Sequence, residues 1–205
     1  VHSELLRRPG KLYVLASHFH PDHFNKEVLQ WREQRPDIIY IFSKDILRHR
    51  RAQKEDAVWL KKGEEYKDET LSVRAFGSTD VGVSFLLQAS GKKIFHAGDL
   101  NNWHWMDEST EAQWKGAEKN FLHELDDLYA YTPEVDVAMF PVDPRLGKEY
   151  MRGAGQFVTK IKTHIFVPMH FTPEYAKANA FRDFAEAHGV RFVSLTHRGQ
   201  KIEIE

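Results

Sequence analysis

Four potential metal ligands fall within six residues in the segment Ser17-His18-Phe19-His20-Pro21-Asp22-His23. The segment follows residues 12–16, an apolar run whose composition predicts a buried strand. Because side chains of extended backbone repeat every two residues, His18 and His20 point the same way and can bind one ion. Asp22 and His23 lie past the proline and turn toward a second ion. The spacing therefore predicts a two-metal site, and a surface cluster of histidines is the weaker alternative.

Two further ligand candidates stand just past predicted strands. Asp99 follows the strand predicted at residues 93–96, and Gly98 before it permits a close approach of the backbone. His170 follows the strand predicted at residues 164–168. A carboxylate can bridge two cations, and an imidazole can complete a four- or five-coordinate shell. Each residue alone is a weak signal, since Gly-Asp is common in turns and a single histidine is usually structural.

Short apolar segments alternate with helical patterns along the chain, which predicts a mixed α/β fold. The segments predicted as strands are residues 12–16, 38–42, 71–76, 83–89, 93–96, 135–141, 164–168 and 191–195. Helices are predicted from Ser43 toward residue 53, from a capping box at Thr110 and Gln113 toward residue 128, and from Thr172 to Gly189. Residues 201–205 alternate isoleucine with charge, as an exposed edge strand does. No linker or repeat interrupts the chain, so residues 1–205 are predicted as a single domain.

The composition argues against several classes of protein. The 205 residues contain 29 Lys plus Arg and 30 Asp plus Glu, a net charge of -1, so no overall positive field attracts nucleic acid or anionic lipid. Cysteine is absent, which excludes thiolate ligands, disulfides and a cysteine nucleophile. The apolar runs are too short to span a membrane and residues 1–10 lack a signal-peptide hydrophobic segment, so we expect a cytoplasmic protein.

Taken in order, the H-x-H-x-D-H segment, the His96-x-Gly98-Asp99 segment and the strand before His170 resemble the metallo-β-lactamase superfamily of metal-dependent hydrolases. The resemblance extends from residue 17 to residue 170. It implies a four-layer αββα sandwich, an α/β (α+β) fold, with a binuclear metal centre. Residues 77–82 and 96–99 are similar to an uncharacterised branch that also resembles ascorbate-6-phosphate lactonases.

The resemblance also implies a role for each ligand. The first metal would be bound by His18 and His20, the second by Asp22, His23 and His170, and both by a bridging Asp99. Asp99 would hold the two ions together and Asp22 would orient the nucleophile, so these two are the candidate catalytic residues.

The chain departs from the family pattern at two places. Where the family usually has a third histidine for the first metal, this chain has Gly77-Ser78-Thr79-Asp80. Asp80 either replaces that histidine as a ligand or caps a turn, and both interpretations stay open. The second departure is that His18 follows one recognisable strand where the family has two or three. We expect that N-terminal strands lie outside this sequence, which would leave the sheet edge next to residues 12–16 unpaired.

A candidate substrate pocket follows the bridging carboxylate. Asn101 and Trp103 come directly after Asp99, and Arg145 follows the buried strand predicted at residues 135–141. Aromatic and amide groups beside a metal site can form a pocket wall, and Arg145 could hold an anionic group. The alternatives are that the tryptophan packs a helix onto the sheet and that the arginine is solvated. For His96, packing against the sheet is favoured over a role as an acid.

The leading hypothesis is a metal-dependent hydrolase that uses a metal-bound hydroxide on a small ester, lactone or phosphorylated substrate. One alternative is a phosphodiesterase or nuclease on the same centre, which the near-zero charge and the single basic run Arg48-His49-Arg50-Arg51 disfavour. Another is a metal-binding module with little turnover. Two divalent ions are expected, zinc by default, with manganese, iron or nickel open. The expected partner is a small-molecule substrate rather than a nucleic acid or a membrane; the oligomeric state is not predicted.

Overall fold

Two β-sheets form the centre of the computed structural model, which describes residues 2–203. The smaller sheet is parallel, with strand order β1-β2-β3, and consists of β1 (Tyr13–Ala16), β2 (Ile39–Ser43) and β3 (Val58–Leu60). The larger sheet consists of β4 (Glu65–Lys67), β5 (Ser72–Phe76), β6 (Ser84–Ala89), β7 (Lys92–His96), β8 (Glu134–Pro141), β9 (Lys162–Met169) and β10 (Arg191–Phe192). Its strand order is β10-β9-β8-β7-β6-β5-β4.

The pairing direction changes within the larger sheet. Strands β4 to β7 pair antiparallel, whereas β7, β8, β9 and β10 pair in parallel. The carboxyl ends of β7, β8 and β9 therefore meet at one edge of the sheet, where ligand-bearing loops of such folds are found.

In the described part of the chain, seven α-helices accompany the sheets. They are α1 (His2–Leu6), α2 (Glu27–Gln30), α3 (Lys44–Arg48), α4 (Glu111–Tyr131), α5 (Arg152–Lys160), α6 (Tyr175–Asn179) and α7 (Arg182–Ala187). Shorter 3-10 turns occupy Trp31–Glu33, Lys54–Asp56 and Pro144–Glu149. Ser43 caps α3, and Thr110 with Gln113 forms the predicted capping box of α4. Within residues 2–203, no helix has the length and apolarity that a membrane span requires.

Apolar clusters formed by the described residues separate four layers. Along β2, alternate side chains face opposite sides: Tyr40 and Phe42 pack against the helices α1 to α3, while Ile41 packs between the two sheets. On its outer face the larger sheet packs against α4, α5 and α7, with Phe121 and Phe157 fully buried there. The helix, sheet, sheet, helix arrangement is the predicted αββα sandwich, which the structure confirms.

Several predicted boundaries are wrong for identifiable reasons. The helix predicted from Thr172 begins at Tyr175 and is interrupted at residues 180–181. The last strand ends at residue 192, because the Leu195 amide donates to the Asn179 side chain rather than to a strand. The helix after Ser43 ends at residue 48 rather than near residue 53.

The edge strand predicted at residues 201–205 is absent from residues 201–203, and residues 204–205 lie outside the described part of the chain. Ile202 packs instead against the face of the larger sheet, beside Val137, Ile165 and Val193. Apolar burial on that face therefore determines the position of this segment rather than hydrogen bonding at a sheet edge.

Candidate metal centre

The ligand candidates all lie in loops at one end of the two sheets. The segment 17–23 follows β1, Asp80 lies between β5 and β6, Asp99 follows β7, and His170 follows β9. Asp143, which the sequence analysis did not treat as a site residue, follows β8 between them. The parallel strands β7, β8 and β9 thus bring Asp99, Asp143 and His170 to one place.

The structure brings together the six ligands that the resemblance implies. They form two groups, and within each group the donor atoms lie within 4.8 Å of one another. The first group is His18, His20 and Asp99, and the second is Asp22, His23 and His170. Asp99 faces both groups: its Oδ2 lies 3.4 Å from His18 Nε2, and its Oδ1 lies 3.1 Å from His23 Nε2. The same Oδ1 lies 3.4 Å from His170 Nε2. A carboxylate placed in this way can bridge two ions.

Two buried polar atoms of this cluster test whether it suits a metal. His18 Nε2 and Asp99 Oδ1 are buried and have no hydrogen-bond partner among the described residues. Such atoms are rare in folded proteins, since leaving a buried donor or acceptor unpaired costs about 1–3 kcal/mol. A coordinated divalent cation would satisfy both lone pairs. The imidazole and carboxylate donor set suits zinc, iron or manganese.

Charges within the cluster favour the metal-binding protonation states. Burial lowers the pKa of His18 to about 4, and the neighbouring His23 adds to that effect, so His18 is neutral near pH 7. Burial alone would raise the pKa of Asp99. The His23 imidazole, 3.1 Å from Oδ1, and the nearby His170 nevertheless hold the pKa of Asp99 below its ordinary value. The bridging carboxylate is therefore ionised.

Ser17 touches a histidine of each group. Its Oγ lies 3.1 Å from His18 Nδ1 and 3.4 Å from His23 Nδ1, and the residue is almost fully buried. When both Nδ1 atoms carry the proton and donate to this oxygen, both Nε2 lone pairs face Asp99 and remain free for metals. Ser17 thus orients one ligand of each ion.

Asp143 orients His170 from the other side. It is 1% exposed, and its Oδ2 accepts a hydrogen bond of 2.9 Å from His170 Nδ1. Arg145 donates to the same carboxylate through Nε at 3.0 Å and Nη2 at 2.6 Å. Burial opposes ionisation, but these hydrogen bonds lower the pKa of Asp143 to about 2. At His170, burial lowers the pKa and the hydrogen bond to Asp143 raises it. The second effect is the stronger, so the pKa of His170 is raised.

Two glycines allow the loops to approach closely. A Cβ on Gly82, whose φ is +76°, would lie 2.0 Å from the Ser17 carbonyl oxygen. A Cβ on Gly98, whose φ is +56°, would lie 2.9 Å from Ser17 Cβ. Both positions need glycine for conformation and for space, so the segment around His18 is clamped between them.

Asp80 lies beside the first group without belonging to it. Its Oδ2 is 3.8 Å from His20 Nδ1, and its side chain is about half exposed. Its neighbour Thr79 donates from Oγ1 to the Asn101 carbonyl and accepts from the Asn101 amide at 3.0 Å. The loop of Asp80 is thus tied to the loop of Asp99.

A pocket of about 250 Å³ opens beside the cluster. Its lining consists of Thr79, Asp80, Asp99, Trp103, Trp105, Arg145 and His170. Trp103 is fixed by a hydrogen bond from Nε1 to the Asp99 carbonyl, and its ring meets the His170 ring edge-on. Trp103 and Arg145, the two expected substrate residues, therefore line the same pocket as Asp99 and His170.

Asn101, the third expected substrate residue, does not line this pocket. Its side chain is fully buried, and its Oδ1 accepts from the Asn102 amide at 2.9 Å. Asn102 in turn donates to Gln156 on α5 at 2.9 Å and lies 3.3 Å from Glu118 on α4. These two residues brace the loop after Asp99 against the helices, where a substrate cannot reach them.

His96 and Trp105 complete the surroundings of the site. His96 Nδ1 accepts from the Gly98 amide at 3.1 Å, and burial lowers its pKa to about 4, which fits a packing role. Trp105 and His170 have φ angles of +43° and +62°. Left-handed backbone costs about 1–2 kcal/mol at residues other than glycine, and such strain concentrates at functional sites.

A comparison with protein families identifies the chain. Residues 4–171 match the model of the beta-lactamase superfamily domain. The chain belongs to this superfamily. The expected class, a metal-dependent hydrolase of the metallo-β-lactamase superfamily, is thereby confirmed at the level of the family, and the placement near ascorbate-6-phosphate lactonases stays a prediction. A comparison with curated proteins gives no match.

Several solved structures have the same fold at low sequence identity. Igni18, a metallo hydrolase from Ignicoccus hospitalis, is 17% identical with a TM-score of 0.60, covering 90% of this chain and 76% of its own. Zn(2+)-bound PqqB from Methylobacterium extorquens is 16% identical with a TM-score of 0.53, covering 89% and 70%. CmlA, a diiron beta-hydroxylase from Streptomyces venezuelae, is 13% identical with a TM-score of 0.57, covering 88% and 43%. At these identities the likeness establishes the fold alone.

Proposed function

We propose that this protein hydrolyses a small ester, lactone or phosphorylated substrate with two divalent ions held by His18, His20, Asp22, His23, Asp99 and His170. The observation that carries the proposal is the position of Asp99, whose two oxygens face the two ligand groups while its Oδ1 and His18 Nε2 are buried without partners. Asp80, 3.8 Å from His20, is the proposed additional ligand of the first ion.

When bound, two divalent ions acidify a shared water and polarise a carbonyl or phosphoryl oxygen. The chain's own residues then position the reactants. Asp99 fixes the spacing of the two ligand groups, Ser17 and Asp143 hold three histidines in the tautomer that leaves Nε2 free, and Asp22 accepts a hydrogen bond from the attacking water. Overall one water is consumed, its oxygen joins the acyl carbon or phosphorus, and the leaving oxygen takes up a proton.

The donor set and two solved structures of the same fold bear on the identity of the metal. The fold carries zinc in PqqB and two irons in CmlA, so it accommodates more than one element. We propose zinc because the site contains four imidazoles and no thiolate, with iron or manganese as alternatives. CmlA also demonstrates that this fold serves reactions other than hydrolysis.

A phosphodiesterase is the second candidate, and one contact favours it. The Phe19 ring, within the metal-binding segment, stacks on His49 at 3.7 Å and 12°. This contact places the basic run 48–51 next to the metal-binding segment, where it could bind a phosphate backbone. Hydrolysis of a phosphodiester reporter with steeply salt-dependent binding would support this candidate.

The test is elemental analysis of purified protein followed by a panel of ester, lactone and phosphodiester reporters. We expect two equivalents of metal in the wild type, loss of at least one in His18→Ala, and loss of hydrolysis in Asp99→Asn. His123→Ala, at an exposed position on α4, is the matched control and should change nothing. Two bound ions with no hydrolysis of any reporter would refute the proposal and favour a metal-binding module.

A further inference from the structure

The pocket beside the metal centre is asymmetric in charge. Among the described residues that line it, Arg145 carries the one permanent positive charge, and it lies across His170 from the bridging carboxylate. Arg145 Nη2 is 3.4 Å from His170 Nδ1, and His170 Nε2 is 3.4 Å from Asp99 Oδ1. The guanidinium group is therefore separated from the reacting centre by about the width of one imidazole ring.

Hydrogen bonds fix the orientation of Arg145 but leave part of its guanidinium group free to bind a ligand. Its Nε and Nη2 donate to Asp143, and its own backbone amide donates to Asp143 Oδ1 at 3.0 Å. Its Nη1 makes no hydrogen bond among the described residues, and the side chain is 58% exposed. A planar guanidinium with free N–H groups and a fixed orientation is the arrangement that proteins use for carboxylate and phosphate groups.

The charge of Arg145 is shared with one neighbouring carboxylate. Asp143 is the acidic residue that forms an ion pair with Arg145 among the described residues, and it also accepts a hydrogen bond from His170. A negative group on the substrate would therefore meet a positively charged N–H donor whose orientation is already fixed.

Part of the pocket lining is aromatic. The rings of Trp103 and Trp105 are nearly parallel, at 16° with centroids 6.4 Å apart. The pocket volume of about 250 Å³ lies below the roughly 300–1,000 Å³ typical of sites for drug-sized ligands. The space therefore suits a short spacer rather than a long chain.

We propose that the substrate is a small ester or lactone that carries a carboxylate or phosphate a few bonds from the scissile bond, with that anionic group bound by Arg145. A short apolar spacer lies against Trp103 and Trp105. This inference rests on the proposed hydrolase function and adds to it the class of substrate.

The test compares two esters of similar size on the metal-loaded protein: mono-4-nitrophenyl succinate, which ends in a carboxylate, and neutral 4-nitrophenyl butyrate. Arg145→Met removes the charge and keeps much of the stem, whereas Arg145→Lys keeps the charge. We expect kcat/KM of Arg145→Met to fall about 10- to 100-fold more for the succinate ester than for the butyrate ester, mainly through KM. Arg145→Lys should recover part of this difference. Arg191→Met, at an exposed position on β10, should leave the ratio unchanged.

An equal loss for both esters would overturn the inference, because Arg145 would then act through Asp143 and His170 alone. A second measurement does not depend on turnover: quenching of tryptophan fluorescence in the metal-loaded protein by glycerol 3-phosphate and by butyrate. Quenching by glycerol 3-phosphate alone identifies a phosphate group as the ligand. Quenching by butyrate identifies a carboxylate. Quenching by neither compound, or equal quenching in Arg145→Met, would also overturn it.

The two measurements separate this inference from the proposed function. If the wild type hydrolyses neither ester but binds an anion in a way that Arg145→Met abolishes, the anion site stands and the proposed hydrolysis of small esters fails. If both esters are hydrolysed with equal sensitivity to Arg145→Met, the proposed function stands and the anion site fails.

Discussion

Replacing Asp143 by Asn tests whether this buried carboxylate controls the second metal. Asp143 Oδ2 accepts from His170 Nδ1 at 2.9 Å, and both of its oxygens accept from Arg145. Every group that faces the carboxylate in these contacts is a donor. The asparagine amide has the same shape, but it turns an NH2 group toward one of these donors. That contact then joins two donors and forms no hydrogen bond.

The variant also changes the preferred tautomer of His170. When the amide donates to Nδ1, the imidazole proton moves to Nε2, which is the atom that faces Asp99. Loss of such an orienting partner typically lowers metal affinity by 10- to 100-fold. For the second ion of Asp143→Asn we therefore expect a loss of about 1.4–2.7 kcal/mol in binding free energy. The first ion should be affected less, because His18 and His20 do not contact Asp143.

The assay is a competition titration against a chromogenic chelator, which resolves two dissociation constants, together with urea unfolding of the metal-free protein. Asp126→Asn, at an exposed position on α4, is the matched control. Asp143→Glu, which keeps the charge, should recover part of the affinity if its longer side chain reaches His170. If Asp143→Asn folds normally and both constants stay within twofold of the wild type, the orienting role is refuted.

Three shorter predictions follow from contacts near the same loops. Ser17→Ala should weaken both ions about tenfold, because its Oγ contacts His18 and His23, whereas Ser17→Thr should not; calorimetric titration that finds only one ion weakened would contradict this. His96 has a pKa of about 4 against an ordinary value near 6.5, so its contribution to stability is complete above pH 6.5 and lost as the pH falls toward 4. Over that pH range, the free energy of unfolding of the metal-free wild type should therefore fall by up to about 3 kcal/mol more than that of His96→Asn, as measured by urea unfolding. An equal pH dependence of the two proteins would refute this. Gly98→Ala should destabilise the metal-free protein by about 1–3 kcal/mol because of its positive φ and its close contacts, and an unchanged urea midpoint would contradict that.

The main strands could be predicted from the sequence because each is an apolar run bounded by turn residues. Two strands were missed, Val58–Leu60 and Glu65–Lys67, since each has only three residues and the second has charged residues on both sides of its tyrosine. These segments become strands through pairing with β2 and β5. Their structure is thus decided by tertiary contacts that a local pattern does not contain.

Helix α5 was missed for a different reason. Its sequence contains Gly153 and Gly155, which lower helix propensity by about 1 kcal/mol each relative to alanine. In the structure, a Cβ on Gly153 would lie 2.0 Å from Asn101 Oδ1, and one on Gly155 would lie 3.3 Å from the Phe184 ring. The two glycines permit packing against the loop after Asp99 and against α7, so burial of the apolar face outweighs the low propensity.

The ligand candidates could be predicted because their signal is local: four of them lie within six residues, and the others directly follow apolar strands. The groups that orient them could not, because a serine before a histidine or an aspartate before a proline is ordinary in sequence. Asp143 and His170 are 27 residues apart and meet only because β8 and β9 are parallel neighbours. Since an orienting hydrogen bond depends on where two strands end relative to each other, strand order has to be known before such a residue can be identified. The strand-end position that pointed to Asp99 and His170 applies equally to Asp143, but it does not indicate which ligand the carboxylate contacts.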